Sequence, residues 1–445
     1  MNKKNAVLVA VMLAGAVATG CGSKPQQNAG GDSAGAAPGT GAVQAEKKRD
    51  PVELVFYSTS GDFDESGFVK TFGDKIKEKF PHVTPKFIAL TKDTALEKLI
   101  TVGQPIDILF NSIGQTSETL LNYKMEADIS DLIKKNNYDL SRLEPVTVDI
   151  QKQIANGGIY GLPVFTTTLA LYYNKDLFDK FGVAYPKDGM TWEDTYELAR
   201  KMSRMDGSVQ YKGLSVSFSH TSLLNSKSVP YVDVKTNKAA FANDSFKNVF
   251  ETLTNIYNIQ NNGVTKDTVS YTKQIQSFDK DQTTAMFLAL STLGAVRFKE
   301  GLNWDVVSYP VDKDQPNVGP QSYPTYFYIN NASKNKDAAF EVISYLTTDE
   351  FQKHLAMNGM FPVLKNRDAM KAYGQELPFM KNKNTQSFLP KQFAPAAPVS
   401  KYQSIAFNNL NNAYNAVLLK EKDVNTALRE QEEKTNKDIE AQLAK

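Results

Sequence analysis

Residues 51–110 run PVELVFYSTSGDFDESGFVKTFGDKIKEKFPHVTPKFIALTKDTALEKLITVGQPIDILF, and this stretch decides the fold class. Val52 to Tyr57 is rich in aliphatic and aromatic residues and predicts a strand, closed by the polar loop Ser58-Thr59-Ser60-Gly61-Asp62. Phe68, Phe72, Ile76 and Phe80 then recur every four residues, which lays one apolar stripe along a helix that Pro81 stops. Val83 to Ala89 predicts a second strand, Leu96, Leu99 and Ile100 a short helix, and Ile106 to Phe110 a third strand. Strand–helix–strand alternation gives an α/β fold with mostly parallel sheets and helices on their faces. The whole chain has 445 residues, and about 395 from Pro51 onward exceed what one core usually holds, so two lobes are expected.

Upstream of Pro51 the character changes. Lys3 and Lys4 open the chain, an apolar run follows from Ala6 to Ala18, and Thr19-Gly20-Cys21 ends it. That run is too short for a hydrocarbon layer of about 30 Å but suits a signal-peptide core. Small residues before a lone cysteine resemble a bacterial lipoprotein lipobox, with Ala18 where leucine is usual; the resemblance implies lipidation at Cys21 and a signal peptide over 1–20. Residues 21–50 are rich in Gly and Ala, lack aromatics, and read as a flexible tether with a reach of about 30 Å. Apolar residues are 41% and charged residues 22%, ordinary globular values that exclude a disordered chain. The net charge of +2 matches the two lysines before Cys21, so the body is neutral and nucleic acid is not an expected partner. Cys21 is the only cysteine, which excludes an internal disulfide and a cysteine-rich metal site.

Downstream, Gly157-Gly158-Ile159-Tyr160-Gly161-Leu162-Pro163 precedes Leu171-Tyr172-Tyr173-Asn174-Lys175-Asp176-Leu177-Phe178, then Phe181-Gly182, Pro186-Lys187 and Thr191-Trp192-Glu193-Asp194. Phe278 with Thr284-Ala285-Met286-Phe287, Ser333-Lys334-Asn335 with Ala338-Ala339-Phe340, and Asp423 to Asn436 follow in order. This succession resembles the extracellular solute-binding proteins of ABC importers, in particular the family 1 group of sugar-binding lipoproteins. The resemblance spans 51–445. It implies a two-lobed periplasmic-binding-protein-like fold of type II, with an N-terminal lobe of 51–165 plus 311–362 and a C-terminal lobe of 168–308 plus 364–445. It places crossovers at Thr166, Thr167 and Thr168, near Ser308-Tyr309-Pro310, and just after Pro362. It also implies a monomer, held by its lipid on the extracytoplasmic face of the cell membrane, with an ABC permease as partner. From the residues alone, Thr191 caps the following helix and Trp192 reads as a structural staple.

The chemistry that an enzyme needs is sparse. His82, His220 and His354 are the only histidines, and no His-Glu-x-x-His or three-ligand cluster is present. Gly213 to Ser217 lacks the last glycine of a nucleophile elbow, and no Walker loop exists. Asp62, Asp64 and Glu65 sit together after the first strand, where two carboxylates could serve a tethered glycan-cleaving enzyme; their other reading is a solvated loop and helix start. Neither cofactor nor metal is expected.

Ligands of open α/β sheets bind beyond the carboxyl ends of strands. That rule selects Tyr57, Ser58 and Asp62, then Asn111 and Ser112, then Ser217 and His220, with Ser291, Thr292 and Tyr323 as further loop positions; Thr166 and Thr167 join them at the crossover. Hydroxyl and amide groups suit a polyhydroxy ligand, and a carbohydrate is the expected class. Each group also suits a helix cap. Sugar faces need aromatic platforms, yet Thr292 stands where sugar-binding relatives often carry tryptophan, and Tyr323-Pro324 where a glycine pair is usual. Tyr57, Tyr323, Tyr402 and Phe407 are the candidate platforms, although Phe407 shares an apolar stripe with Leu410 and Tyr414. A different polar solute stays open as the alternative ligand.

Overall fold

In a computed structural model the described residues are 49–299 and 301–444. The expected signal peptide, Cys21 and nearly all of the tether lie outside them. Residues 50–445 form one compact unit. Its strands are β1 (Val52–Tyr57), β2 (Val83–Ile88), β3 (Ile108–Ser112), β4 (Gly161–Phe165), β5 (Leu169–Asn174), β6 (Arg204–Asp206), β7 (Val209–Val216), the small pair β8 (Val232–Asp233) and β9 (Lys238–Ala239), β10 (Thr284–Leu290), β11 (Trp304–Ser308) and β12 (Thr325–Ile329). Two sheets of five strands result, ordered β2-β1-β3-β12-β4 and β11-β5-β10-β7-β6. Each is the centre of one lobe.

The two-lobed α/β architecture is the expected one, but strand direction is more mixed than alternation suggests. In the first sheet β12 alone runs against the rest, pairing antiparallel with β3 and β4. In the second, β7 and β10 are parallel while β5 and β6 are reversed. The cause is the chain path. β4 leads through 166–168 into β5, and β11 leads through 309–324 into β12, so the chain changes sheets twice and the incoming strands β5 and β12 run against their neighbours.

The aromatic stripe builds the first core. Phe68, Phe72, Ile76 and Phe80 are all buried, Phe68 stacks on Phe87 at 4.7 Å, and Phe110 stacks on Phe327 at 4.7 Å. The helix carrying the stripe contains a π-turn over Val69–Gly73 rather than running as a uniform α-helix. Asp64 caps its start, accepting from Gly67 N at 2.7 Å. β3 begins two residues later than expected because Asp107 turns its carboxylate inward, accepting from Val55 N (3.0 Å), Ser333 Oγ (2.6 Å) and Asn335 Nδ2 (3.2 Å). In the second lobe, Thr191 and Asp194 form a reciprocal capping box, and Trp192 meets Tyr309 edge-on at 5.5 Å. The closing helix, Val424–Leu443, packs on helix Gln403–Leu418 and is longer than expected. Among the described residues no helix is long and apolar enough to cross a membrane.

Candidate functional site

The strand ends converge on a cleft between the lobes. β1 delivers the loop 58–62, and Asn111 of β3 holds that loop in shape. Its side-chain oxygen accepts from Thr59 N (3.1 Å), Thr59 Oγ1 (3.0 Å) and Ser58 Oγ (3.4 Å), while Nδ2 donates to Thr119 Oγ1 (2.9 Å). Ser58 and Asn111 are buried and their polar atoms are committed, so they position the loop. Its tip carries Asp62, exposed and accepting from Ser60 Oγ. Asp64 is occupied by its cap, so the acidic set is spread over local turns.

From the second lobe, β7 ends at Val216, Ser217 follows it, and helix Phe218–Leu223 carries His220. The Ser217 hydroxyl lies 2.8 Å from His220 Nδ1. Nε2 is the nitrogen left for a ligand, and it bears the proton when Ser217 donates to Nδ1. Burial disfavours the imidazolium and pushes the His220 pKa down to about 4, against the opposing pull of the Asp62 carboxylate. His220 therefore acts as a neutral group at ordinary pH. That pull also places Asp62, from the other lobe, within electrostatic reach of this ring.

Tyr323 sits in the crossover between β11 and β12. Its backbone pairs with that of Thr167, Tyr323 N donating to Thr167 O (2.8 Å) and Thr167 N to Tyr323 O (3.2 Å). Its hydroxyl accepts from Ser112 Oγ at 3.2 Å, and its ring centroid stands 6.2 Å from that of His220. Gly114 makes this possible, because a Cβ there would overlap the Tyr323 hydroxyl. Around Tyr323 opens a cleft of about 350 Å³, lined by Gly114, Gln115 and Glu118 of the first lobe, by Ser219, His220 and Leu223 of the second, and by Gln403, Ser404, Phe407 and Asn408 on helix Gln403–Leu418. Phe407 is half-buried, packing on the second core while facing the cleft.

The other expected residues are placed differently. Where the crossovers run side by side, Thr166 Oγ1 meets Ser322 Oγ at 2.7 Å and Thr167 Oγ1 meets Ser291 Oγ at 3.0 Å; all four are buried and satisfy one another. Thr292 is half-buried at the start of helix Leu293–Val296, and its hydroxyl makes no capping bond. Tyr57 and Tyr402 are not platforms in this arrangement. Tyr57 is 0% exposed and its hydroxyl donates to Thr94 O at 2.8 Å, while Tyr402 is 2% exposed within the second core. Sequence reading passed over Glu118, Gln403, Ser404, Asn408 and Tyr271. Tyr271 is 40% exposed, with its ring 6.4 Å from His220, and it opens helix Tyr271–Asp279 directly after the cap Ser270. Such a cap–aromatic pair at a helix start was the available signal. Among the described residues no group of three or more His, Cys, Asp or Glu is placed to hold a metal ion.

The depressed His220 pKa predicts a pH dependence of stability. The unfolded chain takes up this proton near pH 6.5 and the folded chain near 4, so between them the unfolded state binds more protons. The stabilisation is fully present above about pH 6.5 and declines as pH falls, by up to about 3 kcal/mol at pH 4. His354, also held low by burial, acts in the same direction. Denaturant unfolding from pH 7 to 4 in wild type and His220→Gln isolates the difference. Wild type should lose about 1–3 kcal/mol more than the variant; equal losses would remove this role from His220.

The profile described as "Bacterial extracellular solute-binding protein" matches residues 60–353. A putative binding protein of Brucella abortus (strain 2308) is 24% identical over 348 residues, covering 73% of this chain and 80% of its own length. In fold the chain is similar to an ABC substrate-binding protein of Listeria monocytogenes in complex with cycloalternan, with a TM-score of 0.73, 19% identity and coverage of 88% and 99%. It is also similar to a sugar transporter of Rhizobium etli in an open conformation, with a TM-score of 0.68, 21% identity and coverage of 86% and 99%.

Proposed function

We infer the function from one premise: the chain belongs to the bacterial extracellular solute-binding proteins. The proposed role is to bind a small carbohydrate in the cleft around Tyr323 and to deliver it to an ABC permease. The observation that carries this reading is the cleft itself, in which groups from both lobes and a crossover tyrosine meet around about 350 Å³. That volume suits a mono- or disaccharide. His220, Glu118, Gln115 and Gln403 supply hydrogen-bonding groups, and Tyr323, Phe407 and Tyr271 supply ring faces. The Listeria relative holds cycloalternan and the Rhizobium one is described as a sugar transporter, which supports a carbohydrate over other solutes.

In this proposal Asp62, Ser112, His220, Thr292, Tyr323 and Phe407 face the ligand. Ser58, Asn111, Thr166, Thr167, Ser217 and Ser291 hold those groups in place. The lobes 51–165 plus 311–362 and 168–308 plus 364–445 close about the crossovers by hinge motion. The work is binding without bond cleavage, by a monomer tethered to the membrane through a lipid on Cys21.

Thermal unfolding against mono- and oligosaccharides, polyols, oxyanions and small peptides tests it. A ligand at about 100 times its Kd adds roughly 2.7 kcal/mol, a readily visible shift. A response confined to oxyanions or peptides would keep the receptor and discard the carbohydrate. Recovery of a cleaved sugar would replace the receptor with an enzyme.

A further inference from the structure

One acidic group lines the cleft and a second stands within electrostatic reach of it, with no basic group among the lining residues to offset them. Glu118 lines it from the first lobe and is exposed. Asp62 acts electrostatically on both His220 and Tyr323 from the loop after β1. Among the described residues lining the cleft there is no lysine or arginine. Arg297, whose charge reaches the neighbouring Tyr271 ring, is paired with Asp279. His220 is neutral at ordinary pH and supplies no cation. A carboxylate or phosphate entering here would leave water to face two like charges, whereas hydroxyls and ammonium groups would find acceptors.

We propose that the cleft sorts its ligands by charge, admitting neutral or amino-bearing sugars and polyols and rejecting their acidic counterparts, with Glu118 and Asp62 as the discriminating residues. This rests on the carbohydrate reading above. Neutral hydroxyls bond to carboxylate acceptors without a charge conflict, and an amino sugar gains a favourable pair. A uronic acid of the same shape fills the same volume but meets repulsion at close range in a partly dehydrated site. At separations of several ångströms this is worth about a tenfold difference in Kd.

The test is calorimetric titration of the full chain with matched probes: glucose, glucuronate and glucosamine; galactose, galacturonate and galactosamine; mannitol and mannonate. In whichever series binds, the acid should be at least about tenfold weaker than its neutral partner, and the amine equal or tighter. Glu118→Gln and Asp62→Asn, both at exposed positions, should each narrow the neutral–acid gap by about threefold at low salt. An acid that binds as tightly as its neutral partner overturns the proposal while leaving the carbohydrate reading intact. A gap that neither variant narrows overturns the assignment to these carboxylates. Silence across all three series and across the oligosaccharides of the unfolding panel overturns the carbohydrate reading and this proposal with it.

Discussion

Asn262→Ala is expected to destabilise the second lobe by about 3–5 kcal/mol, because one buried amide there satisfies an unusual number of backbone groups. Asn262 is 0% exposed. Its Oδ1 accepts from Gly213 N (2.7 Å) and Leu214 N (3.2 Å), and from Ser203 Oγ (3.2 Å). Its Nδ2 donates to Leu214 O (2.8 Å) and Ile256 O (2.8 Å). Alanine would strand Leu214 N and Leu214 O in a dry interior, each worth about 1–3 kcal/mol when left unpaired, whereas Ile256 O keeps Ile259 N at 3.4 Å. Gly213 N keeps Ser203 Oγ at 3.0 Å, so its loss is partial. Urea unfolding checks this, with Asn258→Ala as control. Asn258 is exposed in the same segment, and its change should cost less than about 0.5 kcal/mol. A loss below about 1 kcal/mol for Asn262→Ala would mean the surrounding backbone finds other partners. Because Asn262 braces β7, which leads into Ser217 and the helix carrying His220, the variant should also weaken ligand binding.

Asn262 also shows where reading the sequence runs out. Asn261-Asn262-Gly263 looks like an ordinary polar turn, and Asn261 does adopt a left-handed φ of 64°. Nothing local distinguishes its neighbour, whose partners sit some fifty residues back in β7. What was legible depends on short-range pattern. The strands around Val52 to Tyr57 and Val83 to Ile88, the four-residue aromatic stripe and the Thr191 cap all follow from near neighbours. Strand direction after a crossover does not, and so β5 and β12 run against expectation. The strand-end rule selects loops that border the cleft, those after β3 and β7, but not the helix Gln403–Leu418 that lines its other side. It could not say which side chains are free. Tyr57 and Tyr402 offer the right chemistry but turn into cores, since their exposure is set by helices packed far away in sequence. Glu118 and Gln403 show the converse case, polar helix positions that read as solvent-facing until the opposite lobe is in place.

Tyr323→Ala should weaken ligand binding by about 2–4 kcal/mol, or roughly 30- to 1000-fold in Kd, the largest single effect at the site. Among the described residues Tyr323 is the one aromatic that packs against clusters of both lobes. It bonds Ser112 of the first lobe, lies beside His220 of the second, and is tied by backbone to Thr167 in the adjoining crossover. Its ring therefore serves as cleft wall and as spacer between lobes, and truncation removes both. Separating these roles needs two further variants. Tyr323→Phe keeps the ring and loses the hydroxyl, and should cost about 0.5–1.5 kcal/mol. Gly114→Val leaves Tyr323 chemically intact but pushes its hydroxyl away from Ser112, and should approach the alanine variant in affinity. Combining Gly114→Val with Tyr323→Phe should restore little, because Tyr323 Cζ itself would lie only 3.0 Å from a Cβ at position 114. Calorimetry with whichever sugar shifts the unfolding transition provides the readout. Binding by Tyr323→Ala within threefold of wild type would show that the ligand sits elsewhere. Normal binding by Gly114→Val alongside a crippled Tyr323→Ala would instead show that the ring contacts the ligand and the Ser112 bond is incidental, which moves the discriminating contacts from the lobe junction to the aromatic face.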